Sequence, residues 1–229
     1  MNDSRLFRVG ASGGIIFVIM QMVAQGMIQV GGMEPSFTAS ASEVTRFFTS
    51  RDPTLVQIGD YVSALSFVAF IWFLGALRST LRDAEGESGW LADVAFGCGL
   101  ISSAISVIGG WSLAFFRVGN GLDPETARLI FDLGNFAFAS TWVLLAGMLF
   151  AVGAVALRTG AMPRWLGWGS LLLGLGLLAG RAAWTSQAAF TPYVLYWVWL
   201  ISASVMLMRG AVKRREAHQR GRGVAVSTG

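Results

Sequence analysis

Apolar runs of about 20 residues recur along the whole chain, separated by short polar intervals. A run of that length is what a helix needs to cross a hydrocarbon core ~30 Å thick. Inside such a core a lone chain must close all its backbone hydrogen bonds within itself, which a helix does. The pattern therefore predicts an all-α, polytopic membrane helix bundle with six spans, at 9–31, 54–77, 91–116, 125–157, 165–186 and 193–212. Three spans open on a capping residue followed by proline: Asp52-Pro53, Asp123-Pro124 and Thr191-Pro192. Asp and Thr side chains accept from orphan N–H groups, and proline at the first helical position loses no bond. From Pro124 to Leu157 is 34 residues, about 50 Å at 1.5 Å each, so this helix and the one from Pro53 are expected to project beyond the membrane. In the polar interval between the first two spans, Ser40 and Glu43 have capping-box spacing, and Val44, Phe47 and Phe48 share one face. That predicts a short amphipathic helix lying on the outer surface, as an inert interfacial helix or as a lid over the bundle.

Composition agrees with the pattern. Of 229 residues 54% are hydrophobic and 13% charged, against roughly 25% charged in a soluble domain. Disorder and a separate soluble domain are both excluded, leaving one transmembrane domain, 1–212, and a basic cytoplasmic tail, 213–229. Twelve Lys and Arg residues flank one side of the predicted spans and five the other. Basic loops stay in the cytoplasm, which places both termini inside. The first span reads as retained, because Gln21, Gln25 and Gln29 stand where a signal peptide would carry small cleavage-site residues. No inverted repeat is visible between the two halves.

Candidate chemistry narrows the picture further. Cys98 is the one cysteine and His218 the one histidine, so no disulfide and none of the usual zinc, haem or iron–sulfur ligand sets can form within the chain. No cofactor is expected. No histidine accompanies the serines at membrane depth and no nucleophile elbow precedes them, so the reading leans away from an enzyme. The basic tail is too short to fold as a nucleic-acid reader and suits anionic headgroups on the cytoplasmic leaflet. Gly10-x-x-x-Gly14 and Gly176-x-x-x-Gly180 have the spacing for close helix approach.

Ionisable groups near membrane depth are expensive and mark candidate function. Asp60 and Asp132 each lie about two turns into a helix entering from the outer side, and Asn135 shares a face with Asp132. Arg117 closes the third span and Arg181 the fifth at the same level. Gln21, Gln25 and Gln29, four apart, form a stripe expected to point into the bundle, since lipid offers an amide nothing. One reading makes these eight residues an outward-facing polar cleft, in which Asp60 and Asp132 orient Arg117 and Arg181; the other makes them interhelical glue and snorkelling charges.

The layout resembles a group of bacterial six-span integral membrane proteins defined as a domain of unknown function. The residues that carry the resemblance are Arg8-Val9-Gly10, Gly59-Asp60 and the run from Arg158 to Gly167, in which Gly160 ends one helix and Pro163 starts the next. The resemblance implies the six-span fold and a bacterial cytoplasmic membrane, and it brings no activity. The expected function is binding or moving a small amphiphile or lipid through the polar cleft. The alternative is an accessory or assembly subunit docking a larger membrane complex. Expected partners are membrane lipids, an amphiphilic ligand, and a membrane-protein partner or a second copy, but no nucleic acid.

Overall fold

The computed structural model describes residues 3–108, 111–118 and 120–227, with the side chains of 3–4, 111–112 and 211–227 outside the description. The basic tail predicted at 213–229 falls outside the described side chains. Among the described residues the chain is helical, without strands: α1 (Asp3–Ile28), α2 (Ala41–Thr49), α3 (Pro53–Glu85), α4 (Trp90–Ile108), α5 (Trp111–Arg117), α6 (Pro124–Thr159), α7 (Arg164–Ala182), a 3-10 turn at Gln187–Phe190, and α8 (Thr191–Ser227). Five segments are long and apolar enough to cross a membrane: Arg5–Ile28, Pro53–Glu85, Trp90–Arg117, Pro124–Thr159 and Gln187–Gly210. The remaining predicted span is present as α7. It is not one of the five, because an arginine near each end and five glycines dilute its leucines over 19 residues.

Local chemistry sets the helix ends. Asp52 caps α3 by accepting from the backbone N–H groups of Thr54 and Leu55, and Asp123 caps α6 by accepting from Thr126 N–H; a proline follows each. Gly160 stops α6 in the left-handed conformation (φ 70°) that disfavours residues with a Cβ. Thr191 departs from its expected role. Its dihedrals are helical (φ −54°, ψ −47°), not the extended ones of a cap, because the 3-10 turn feeds straight into α8. At the end holding the 86–89 loop, Glu85 accepts from the N–H groups of Leu91 and Ala92, and Asp93 pairs with Arg78 at 2.7 Å. One carboxylate thus caps α4 and another ties α4 to α3.

Two cores result. The larger joins α1, α3, α4, α6, α7 and α8 around Phe73, Leu74, Trp142, Leu149, Leu166 and Leu200. Here α1 lies against α3 and α8, while α6 lies against α4 and α7. Glycine makes the closest of these contacts: a Cβ on Gly13 would overlap the Ala69 carbonyl of α3, and one on Gly180 would lie 2.7 Å from the Ala189 carbonyl. The smaller core sits over the opposite end from the 86–89 loop. In it α2 packs on α5 and α6 through Val44, Phe47, Phe48, Ala114, Ala127, Ile130 and Phe131. The expectation that α2 rests on a membrane surface is corrected by this packing. Its capping box forms as predicted, but its three apolar side chains are buried in protein, because the projecting start of α6 offers them a partner.

Candidate functional site: the cap and its buried carboxyl

Two arginines bind the cap to the bundle. Arg51, buried, donates through Nε, Nη1 and Nη2 to the carbonyls of Ile28 (2.8 Å), Phe47 (2.6 Å) and Gly32 (2.5 Å), and its guanidinium lies 3.6 Å from the centre of the Phe47 ring. It therefore satisfies orphan carbonyls at the C-termini of both α1 and α2. Arg128 of α6 donates to the carbonyls of Ala39 and Phe37 and pairs with Asp132 at 2.9 Å. These two side chains fix the segment 29–40 across the top of the bundle.

Glu34 lies in that segment. Its Oε1 is buried without a hydrogen-bond partner, beside the Asn135 amide of α6 and within the field of Arg51. Burial pushes its carboxyl up to about 7, and Asn135 and Arg51 pull it back only in part. Arg51 acts on it through its charge, while three of its five N–H groups are engaged by backbone carbonyls. Asn135 is itself buried and donates to the Phe131 carbonyl at 3.0 Å.

Aromatic rings tie the same segment to α6 and to the residues that follow α7. Phe37 lies 5.2 Å from Trp184, edge to face, and 6.3 Å from Phe190, stacked. Trp184 meets Phe136 at 5.9 Å, and the Arg181 guanidinium sits 4.7 Å from the Phe136 ring centre. Arg181 makes no ion pair among the described residues. Phe190 then stacks on Phe138, which meets Tyr193, so the rings continue from the cap into the bundle.

Of the eight residues the sequence singles out, three gather at this cap: Arg181, Asp132 and Asn135. The expected pairing is corrected, since Asp132 serves Arg128 and not Arg117 or Arg181. Arg117 is exposed at the end of α5. Asp60 is half-buried on α3, next to Gly59, which abuts Ala24 and Ile28 of α1; α3 does not pack on α7, so Asp60 is not brought to Arg181. The glutamine stripe divides. Gln21 is buried and bonds Ser63 and Ser66 of α3 at 3.2 and 2.9 Å, whereas Gln25 and Gln29 are exposed. A four-residue step overshoots one turn by about 40°, so the stripe drifts off the buried face, which follows Gln21, Ala24 and Ile28.

Glu34 and Arg128 are the residues sequence reasoning missed. Arg128 and Asp132 are spaced i,i+4, a pairing signal. Nothing local marks Glu34, whose burial is imposed by α6, distant in sequence. Elsewhere, an apolar groove between α1, α3 and α4, lined by Leu6, Gly10, Trp72, Gly75 and Phe96, carries no charged side chain. Among the described residues no cluster could hold a metal ion. Comparison with protein-family models, curated proteins and solved structures returns no match.

Proposed function

We propose that the protein is a six-span membrane protein of the bacterial cytoplasmic membrane that binds, and moves, a small amphiphile or lipid at its outer face. Five helices of membrane-crossing length support the membrane setting. The packing of α7 between α6 and α8 supports counting it as the sixth span. The excess of Lys and Arg on the side of the 86–89 and 160–163 loops supports a cap on the outside and both termini in the cytoplasm. One observation carries the functional reading: Arg181, which makes no ion pair among the described residues, stands over the Phe136 ring of an aromatic cluster that runs through Trp184 to Phe37 of the cap. A cation beside a set of rings is the arrangement that holds an anionic headgroup on an apolar body. In this arrangement Arg181 binds the headgroup, Asn135 lines the site, and Asp132 holds Arg128 across the cap. Arg117, Asp60, Gln25 and Gln29 take no part, and Gln21 joins α1 to α3.

Native mass spectrometry of the protein extracted gently from its membrane tests this, with Arg181→Ala beside the wild type. The expected result is a discrete small-molecule adduct that the variant loses. A chain bare in both forms, or one carrying a stoichiometric protein partner in place of a small molecule, overturns it in favour of an accessory subunit.

A further inference from the structure

Gly75 lies inside α3, yet a Cβ built on it meets nothing within 4 Å. Glycine within a helix is destabilising relative to alanine, and no helix contact at Gly75 offsets that. Its missing side chain opens the floor of the groove between α1, α3 and α4, which Phe7, Ile71, Trp72 and Phe96 wall. The groove holds about 420 Å³, within the roughly 300–1,000 Å³ of sites that take small molecules. Gly75 is ten residues from the end of α3, about 15 Å, so the groove lies within the depth of one leaflet on the side of the 86–89 loop. Donors collect at its loop end. Ser79 lines the groove one turn beyond Gly75, and its hydroxyl makes no hydrogen bond among the described residues, whereas Thr80 beside it bonds back to the Ala76 carbonyl. Arg78 lies 5.6 Å from the centre of the Phe96 ring and bonds Asp93 through Nε alone, so its Nη groups are open among the described residues. Arg82 reaches the same Asp93 oxygen only at 3.6 Å, so two guanidiniums share one carboxylate oxygen. Glu85 is taken up by the N–H groups that open α4. Guanidinium N–H groups are the chemistry that receives a phosphate.

We propose that this groove seats a membrane phospholipid, with an acyl chain over Gly75 between Phe7, Trp72 and Phe96 and its phosphate on Arg78 and Ser79. The site rests on the membrane setting proposed above but not on the cap, which lies at the opposite end of the bundle. An apolar trough that ends in open N–H and O–H donors matches a phospholipid along its length: hydrocarbon meets hydrocarbon, and the phosphate meets the donors where the trough reaches the loop.

The test photocrosslinks a phosphatidylglycerol with a diazirine midway along one acyl chain to the full-length protein in phospholipid vesicles. Peptide mapping is expected to find label on residues 6–10, 71–79 and 96 several-fold above that on Leu172 and Leu175 of α7, which are also exposed. Gly75→Phe fills the groove from a position with room for it and is expected to remove that excess. The same change at Gly169 of α7, where a Cβ also meets nothing within 4 Å, is expected to leave it. In detergent, with adducts counted by native mass spectrometry, wild type is expected to retain phosphatidylglycerol several-fold over a diacylglycerol with the same chains. Arg78→Gln is expected to abolish that preference. Arg181→Ala should change neither readout, so this site and the one at the cap fail separately. Label spread evenly over the exposed helix faces of wild type, or an excess that survives Gly75→Phe or is lost in Arg181→Ala, overturns the groove as the seat. Equal retention of the two lipids by wild type, or a preference that survives Arg78→Gln, overturns the phosphate contact. A protein that takes up no label overturns the membrane setting itself.

Discussion

The seam between α1 and α3 and the cap above it solve the same problem in opposite ways. Along the seam, Gly10, Gly13 and Gly59 let the helices approach until backbone nears backbone, and Gln21 closes its amide on two serines. Nothing is left over. In the cap, Arg51 and Arg128 reach across to carbonyls of segments that share no regular structure, and Glu34 keeps a buried oxygen unused. Small residues give a contact with no slack, whereas long cationic side chains span a gap and leave polar groups inside it. A region of the second kind can accept a ligand without first breaking its own packing.

The sharpest way to break the comparison is to overfill the seam. Gly13→Leu places atoms where the Ala69 carbonyl already lies. Overpacking costs typically 1–3 kcal/mol and more against backbone, so loss of monodisperse folded protein is expected. Gly26→Leu on the same helix, where a Cβ meets nothing within 4 Å, should leave the melting temperature unchanged. Equal effects would mean that α1 does not pack on α3 as described. In the cap, Arg51→Met removes donors from three carbonyls while keeping an apolar stem. Each orphaned buried acceptor costs about 1–3 kcal/mol, so a fall of about 3 kcal/mol is expected. Faster proteolysis between residues 29 and 52 should accompany it, read by limited digestion in detergent.

Next in size is a pH dependence confined to the cap. The Glu34 carboxyl is raised from its ordinary 4.5 to about 7. A raised acid is stabilised in its protonated form, so the cap keeps its full contribution below about 4.5, loses it as pH rises, and has lost it above about 7. By linkage the change is at most ~3 kcal/mol. Hydrogen exchange at residues 29–49 should therefore quicken as pH rises, after correction for the intrinsic rate, and Glu34→Gln should flatten the profile. No such difference between wild type and variant would show that water reaches the carboxyl.

The sequence read α1 and α3 better than the cap, for a physical reason. Asp52, Asp123, Gly160 and the capping box act within a few residues of themselves, and each forms as its spacing implies, whereas Thr191 fails because a turn outside its window is already helical. Phe47 and Phe48 were legible as one face of a helix, but not that α6 would cover it. Trp199 is buried with its N–H on the Ser170 hydroxyl of α7, a partner distant in sequence. Level alone cannot match Asp132 to its arginine, because depth along a helix says nothing of which neighbour stands beside it. Arg128, one turn away, needed no neighbour at all.

The smallest effect separates the two uses of an amide. Gln21, with donor and acceptor both engaged by α3 serines, is the one member of its stripe that lies on the buried face. Replacing it with methionine keeps the volume and removes the bonds. Interhelical contacts in bilayers average ~0.6 kcal/mol, and Ser66 retains its bond to the Ser63 carbonyl at 2.6 Å, so the loss should stay below about 1 kcal/mol. Gln25→Met and Gln29→Met remove exposed amides and should cost nothing measurable in a thermal melt. If all three variants behaved alike, the stripe would be acting as one surface. The 40° drift per step that divides it here would then have been overcome by rotation or bending of α1, and a polar cleft wall along that helix would return as the better description.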